Sequence, residues 1–282
     1  MRFVDISGIV APANWTQLAE AAGHDPLWSY FRIPLESIIG KKCWYSESDN
    51  AGAVNPIDHF RPKGAKVKAL TKSNADLDEV VWESIDATQR SGYPYLIYEL
   101  SNYRYSCDYV NSLNKSSNGK AKGKSNFFPL QIGSVHATNF HTIVDETIAL
   151  LDPCVFLDSQ LLFFTKTGYV EPHFSVTHGT WNFCRVKVSI EVYHLHYFRW
   201  IEKRKEVWNS CKDSIEMADL LIKEPVSDAV NINIAHHILL IKKKIDKKSE
   251  FSATAIDCIK EFKSSGNYSW LDSYFPDGDL EK

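Results

Sequence analysis

Ile57-Asp58-His59-Phe60-Arg61-Pro62-Lys63 is the stretch on which the reading of this chain turns. An acid and an imidazole stand side by side, with Pro62 three residues after the histidine. Neighbouring side chains of a strand face opposite sides, so Asp58 and His59 can serve one small site only if the strand bends. Pro62 cannot donate to a ladder, ends pairing there and permits that bend. An Asp-His pair is common by itself. A second group lies downstream: Asn102, then Asn111 nine residues later, then Lys115 and a run of Ser, Asn, Gly and Lys to Ser125.

Working outward, residues 1–39 read as a helical segment: Trp15, Leu18, Ala19 and Ala22, then Leu27, Tyr30, Phe31 and Leu35, recur at helical spacing, and Gly40 ends it. Residues 41–63 read as two short strands around a polar loop. A core is expected over 40–135, with 64–92, polar and mixed, looping out as an insertion. Tyr93–Tyr105 suits a helix or a buried strand, and 147–174 strands and turns. From about Arg185 the pattern turns helical: one long amphipathic stretch to about Lys223, then helices over roughly 227–247 and 253–263, with a loose polar tail from Pro276. Residues 136–282 are expected to pack on the core and offer a partner surface. The fold class is α+β.

The residue types fit one chemistry. Hydrolysis of a phosphodiester needs an activated water and neutralisation of charge on the phosphate and the leaving oxygen. A carboxylate and an amide oxygen, Asp58 and Asn111, suit one hard divalent cation, Mg²⁺ or Mn²⁺. A neutral imidazole, His59, can take the water's proton near neutral pH. Arg61 and Lys63 adjoin His59 and are candidate phosphate contacts, as is Lys115. Two basic runs flank the site in sequence, Arg61, Lys63, Lys66, Lys68 and Lys72, and Lys115, Lys120, Lys122 and Lys124; any one lysine is as readily part of a solvated loop. His194-x-His196, His236-His237 and the Lys242–Lys248 run read as structural or solvated features rather than ligands.

Cys43-Trp44-Tyr45-Ser46-Glu47, then Ile57 to Lys63, then Asn102-Tyr103-Arg104-x-x-Cys107-x-x-x-Asn111 resembles the HNH endonucleases, and most nearly the PtuB-type nucleases of Septu and retron anti-phage systems. The likeness runs on through Phe128-Pro129-Leu130 and Leu150-Leu151-Asp152-Pro153 to about residue 200. It implies a ββα-metal catalytic core with N-terminal and C-terminal helical additions. It implies that Asp58 and Asn111 bind the metal, that His59 is the general base, and that Asn102 orients the loop carrying His59. It also implies a nucleic-acid substrate, DNA or an RNA such as tRNA, and an ATPase partner of the PtuA type. A retron complex with a reverse transcriptase and its RNA and DNA is a further partner that it suggests. The pattern departs at the two C-x-x-C pairs that hold a structural zinc in many HNH proteins. Ser46 follows Cys43 and Val110 follows Cys107, so two thiolates remain where a closed site needs four ligands, and no structural zinc is expected.

Bulk numbers narrow the alternatives. A net charge of −3 means that any phosphate affinity is local rather than global. The longest apolar stretches are too short to span a bilayer, and the N-terminus lacks a secretory pattern. Six scattered cysteines without a C-x-x-C pair read as reduced thiols of a cytoplasmic protein. Two other readings stay open: a non-catalytic nucleic-acid-binding or assembly subunit retaining an HNH shell, and a free-standing restriction-like nuclease.

Overall fold

Gly40, at φ 80°, closes a helical N-terminal segment made of α1 (Trp15–Ala21), a 3-10 turn (Leu27–Phe31) and α2 (Arg32–Ile39). That positive φ carries no penalty in glycine. Phe31, Leu35 and Ile39 turn inward and pack with Trp44, Ile57, Tyr103 and Tyr105. The computed structural model describes residues 1–282 apart from 24, 50, 51, 116–118 and 120, and the side chain of Lys115.

The centre of the molecule is a small antiparallel pair, β1 (Ile57–His59) and β5 (Tyr103–Tyr105), in the register Ile57↔Tyr105, Asp58↔Arg104, His59↔Tyr103. All six residues are buried, so the usual in-out alternation is lost and both faces are covered. The chain leaves β5 through Ser106-Cys107 into one helical turn, α4 (Asp108–Asn111). Of the two strands expected over 41–63, the second forms as β1, while the first reduces to one bridge, Lys42↔Asp49, around a tight turn in which Glu47 takes φ 62°.

The segment 64–92 does not loop out. It forms β2 (Lys66–Val67), α3 (Glu79–Trp82), β3 (Ile85–Asp86) and β4 (Arg90–Ser91). Val67, Leu70, Ala75, Val81 and Ile85 from it lie in the main core. These five follow no single period in the sequence, yet all are buried. β6 (Asn114–Lys115) pairs with β7 (Ala121–Lys122), β3 with β8 (Leu130–Gln131), and β2 with β4. After α5 (Phe156–Gln160), β9 (Leu162–Phe164) and β10 (Val170–Pro172) form a hairpin turned at Gly168. Among the described residues every sheet is two-stranded.

The expected long helix after Arg185 is two helices. α6 (Trp181–Val192) is capped by the Thr180 hydroxyl and buried on most sides, which erases an amphipathic signature. His194 then takes φ 53° and turns the chain into α7 (Phe198–Ile222). α8 (Asp228–Ile245), capped by Ser227, and α9 (Ser252–Ser264) pack on α7 around Trp208, Cys211, Ile215, Ile241, Ile256 and Ile259. α10 (Trp270–Tyr274) follows. The tail is docked rather than loose: Leu280 is fully buried, and the Lys282 ammonium lies 2.8 Å from the Asp257 carboxylate. The fold is mixed α+β. No helix among the described residues is long and apolar enough to cross a membrane.

Candidate active site

Asp58, His59 and Asn111 line one cavity of about 400 Å³, with Lys63, Lys68, Ser125 and Asn126 also on its wall. β1 supplies the first two residues and the end of α4 the third, so the β1–β5 pair and the helical turn after it bring Asn111 to residues 52 and 53 positions earlier in the chain.

The His59 ring is held on three sides. Its Nε2 lies 2.9 Å from the Ile97 carbonyl oxygen. A carbonyl only accepts, so Nε2 carries the proton and Nδ1 is left with its lone pair. Nδ1 has no hydrogen-bond partner among the described residues. The ring edges meet Trp28 and Tyr103 at centroid distances of 5.0 and 5.1 Å, both near perpendicular. Burial pushes the imidazole's pKa down to about 3; the Ile97 contact opposes this, and Lys63 and Lys124 add to it.

Asn102 works on the backbone after His59. Its Oδ1 accepts from the Arg61 amide at 2.7 Å, and its Nδ2 donates to the Arg61 carbonyl at 3.0 Å and to Leu96 at 3.4 Å. The Phe60 amide also donates to the Asn102 carbonyl. A single amide thus pins the residues that leave β1, the bend that Pro62 permits.

Asp58 is buried, at 4 % exposure, and already has two partners. Tyr45 donates its hydroxyl to Oδ2 at 2.6 Å, and the Lys124 ammonium lies 3.0 Å from Oδ1 and 2.8 Å from the His59 carbonyl. Tyr45 is fixed by stacking on Tyr193 of the segment after α6, at 4.3 Å. Lys124 is fully buried. It is carried there by a stitched segment: the Lys124 amide donates to Val110 and the Ser125 amide to Asn111. Gly123 permits this approach, since at φ 126° a Cβ would come within 2.0 Å of the Ser112 carbonyl oxygen. Burial pulls the pKa of Lys124 below that of an ordinary lysine, and Asp58 pushes it back up.

The residues fit a divalent cation in part. A carboxylate oxygen has two acceptor positions, so each oxygen of Asp58 keeps one after its present bond. The Asn111 amide makes no side-chain hydrogen bond among the described residues. A hard cation held by one carboxylate and one amide would take its remaining ligands from water and phosphate, as Mg²⁺ commonly does. No group of three or more His, Cys, Asp and Glu side chains that could hold a metal occurs among the described residues. Cys43 and Cys107 are both buried, and the Cys43 Sγ lies 3.8 Å from the Ser106 hydroxyl.

Of the expected phosphate contacts, Lys63 reaches the cavity wall, where its ammonium sits 3.0 Å from the centroid of the Trp28 ring. Burial lowers its pKa to about 8. Arg61 is a correction. Its Nε donates to buried Glu146 at 2.9 Å and its guanidinium to the Ile143 carbonyl, so it points away from the cavity and into the fold. The side chains of Lys115 and Lys120 lie outside the described residues. The basic run is not one solvated face, because Lys122 is buried against Glu191 and Lys124 against Asp58. Lys68 lines the cavity and donates to Ser125 at 3.2 Å. His196 pairs with the backbone of Val170, a structural role.

The chain is 27% identical to the Septu protein PtuB of Bacillus mycoides (strain KBAB4) over 234 residues, which is 83% of this chain and 68% of that protein. No family model matches the chain. The similarity relates this protein to the Septu type of defence system. Trp28 and the Ile97 carbonyl had no role in the sequence reading, Tyr45 stood there only as part of a motif, and Lys124 only in a basic run beside the site.

Proposed function

We propose that this protein is a metal-dependent HNH-type endonuclease acting as an effector of anti-phage defence. The observation that carries the reading is the cavity shared by Asp58, His59 and Asn111, in which the Ile97 carbonyl holds His59 in the tautomer whose Nδ1 can accept a proton. In this reading β1, β5 and α4 are the ββα unit of the HNH fold.

His59, neutral and fixed, takes the proton of the attacking water at Nδ1. Asp58 and Asn111 would hold a divalent cation, Mg²⁺ or Mn²⁺. When bound, that cation supplies charge neutralisation at the phosphate and the leaving oxygen. Asn102 positions rather than reacts, holding the chain at Arg61 so that His59 keeps its place. Lys63 and Lys68 supply cations along the wall for neighbouring phosphates. An ATPase partner belongs to the reading because the chain resembles PtuB-type proteins. The substrate is DNA or an RNA such as tRNA.

The test is cleavage of labelled duplex DNA and of total tRNA by purified protein with Mg²⁺ or Mn²⁺, with and without a co-encoded ATPase. Cleavage that vanishes with EDTA and in His59→Ala is the expected result. No cleavage in any condition would overturn the catalytic reading. One observation then favours a non-catalytic binding subunit: the buried ammonium already seated on Asp58.

A further inference from the structure

We propose that Lys124 makes cation binding at Asp58 conditional on substrate: its buried ammonium neutralises the carboxylate, so a divalent ion settles there with a nucleic-acid phosphate and only weakly without one. The inference rests on the nuclease reading above and adds a positioning residue to it.

Asp58 is the only acid among the described residues lining the cavity. Lys63 and Lys68 line the same cavity, and the Lys124 ammonium lies 3.0 Å from the Asp58 Oδ1. A dication entering the free protein therefore meets an excess of positive charge. A phosphodiester brings the missing negative charge and oxygen ligands, and Mg²⁺ is characteristically held by one or two carboxylates plus substrate phosphates. Lys124 is not placed to swing aside. It is fully buried, its ammonium is also 2.8 Å from the His59 carbonyl, and its own amide is bound to Val110. Nor must it leave, since Asp58 retains acceptor positions beside the ion pair. The same ammonium, by bridging Asp58 and the His59 carbonyl, fixes the proposed ligand relative to the proposed base. Coupling of this kind is reciprocal, so the cation should tighten nucleic-acid binding by the factor by which nucleic acid tightens the cation.

Mn²⁺ binding, read from the free-ion electron paramagnetic resonance signal, tests this in His59→Ala protein, which keeps Asp58, Asn111 and Lys124 while abolishing cleavage. Titrations are run on protein alone and with a short duplex DNA or with tRNA, subtracting binding by the nucleic acid alone. Nucleic acid should tighten Mn²⁺ by about tenfold or more, and adding Lys124→Met should tighten Mn²⁺ on the free protein by a similar factor. Tyr45→Phe removes a hydrogen bond to the same carboxylate without changing charge and should stay within about threefold of its parent. Equal Mn²⁺ affinity with and without nucleic acid, or a Tyr45→Phe effect as large as that of Lys124→Met, overturns the proposal. If Lys124→Met does not fold by circular dichroism, the comparison with and without nucleic acid decides alone. Asp58→Asn separates the two readings. Mn²⁺ binding that needs Asp58 but ignores Lys124 and nucleic acid sinks this inference and spares the cation site; no Mn²⁺ binding in any arm sinks both.

Discussion

The Nε2 atom of His59 stands 2.9 Å from the carbonyl oxygen of Ile97, a residue 38 positions away, and this bond decides which nitrogen of the ring is basic. It also joins the ring to Tyr103, whose hydroxyl donates to the same carbonyl at 2.9 Å. The imidazole is consequently held neutral, oriented and largely dry.

Burial keeps the His59 pKa near 3, below its ordinary 6.5. As pH falls through 6.5 the unfolded chain takes a proton that the folded chain refuses until about 3. The unfolded state thus binds more protons in that window, and stability rises with pH across it and levels off above. At pH 5 the loss from this ring is on the order of 2 kcal/mol relative to pH 7.5. Urea unfolding of wild type and His59→Phe at both pH values should show the gap shrinking in the variant; an unchanged gap would assign it to other groups.

Asn102→Asp should damage the protein more than its size suggests. The aspartate can still accept from the Arg61 amide, but it turns an oxygen toward the Arg61 and Leu96 carbonyls that Nδ2 now satisfies. A loss of about 2–4 kcal/mol is expected for a buried site left with mismatched acceptors. The urea midpoint of Asn102→Asp should fall below that of Asn102→Ala.

Arg104 and Asp152 form a buried two-point ion pair, at 2.6 and 2.5 Å, that ties β5 to the segment before α5. Removing one partner leaves the other charge stranded. Asp152→Ala is expected to cost about 3–5 kcal/mol, whereas replacing both residues by apolar side chains of similar volume should restore much of that. A double-mutant cycle by thermal unfolding checks this; additive losses would refute a coupled pair.

Lys63 should contact phosphate in a pH-dependent way. With its pKa lowered to about 8 by burial, it is charged at pH 7 and loses its charge as pH rises through 8. Nucleic-acid affinity at low salt should weaken over pH 7 to 9, and Lys63→Met should remove that dependence and lower the salt slope by about 1. Fluorescence anisotropy with labelled duplex DNA or tRNA reads both, and a Lys63→Met slope equal to wild type would exclude the contact.

Asp58, His59 and Asn111 stand out by residue type, as groups that phosphodiester chemistry calls for, and they line one cavity. What escaped is how they are held. The carbonyl of Ile97 has no sequence signature, since every residue carries one. Lys124 looked like its neighbours in a basic run, and composition does not show which ammonium turns inward. Arg61 sits beside His59 in the chain yet points to Glu146, because bend geometry, not adjacency, sets its direction. Segment 64–92 reads as a loop for a similar reason: its core residues, Val67, Leu70, Ala75, Val81 and Ile85, follow no single period and show their role only once packed. The helical C-terminal region was legible from its spacing, except at the break after α6, where near-complete burial hides the register.

The dispersal of the supports around His59 has a consequence for synthesis. A ribosome releases Asp58 and His59 well before Ile97, Asn102 and Asn111, and all of these before Lys124. The pairing of β1 with β5 must close a loop of more than forty residues before the ring can be seated, an entropically slow event. A partly made or clipped chain therefore carries Asp58 and His59 without the frame that holds them. Under the nuclease reading, a host could produce such a protein without exposing its own nucleic acids to unfinished copies.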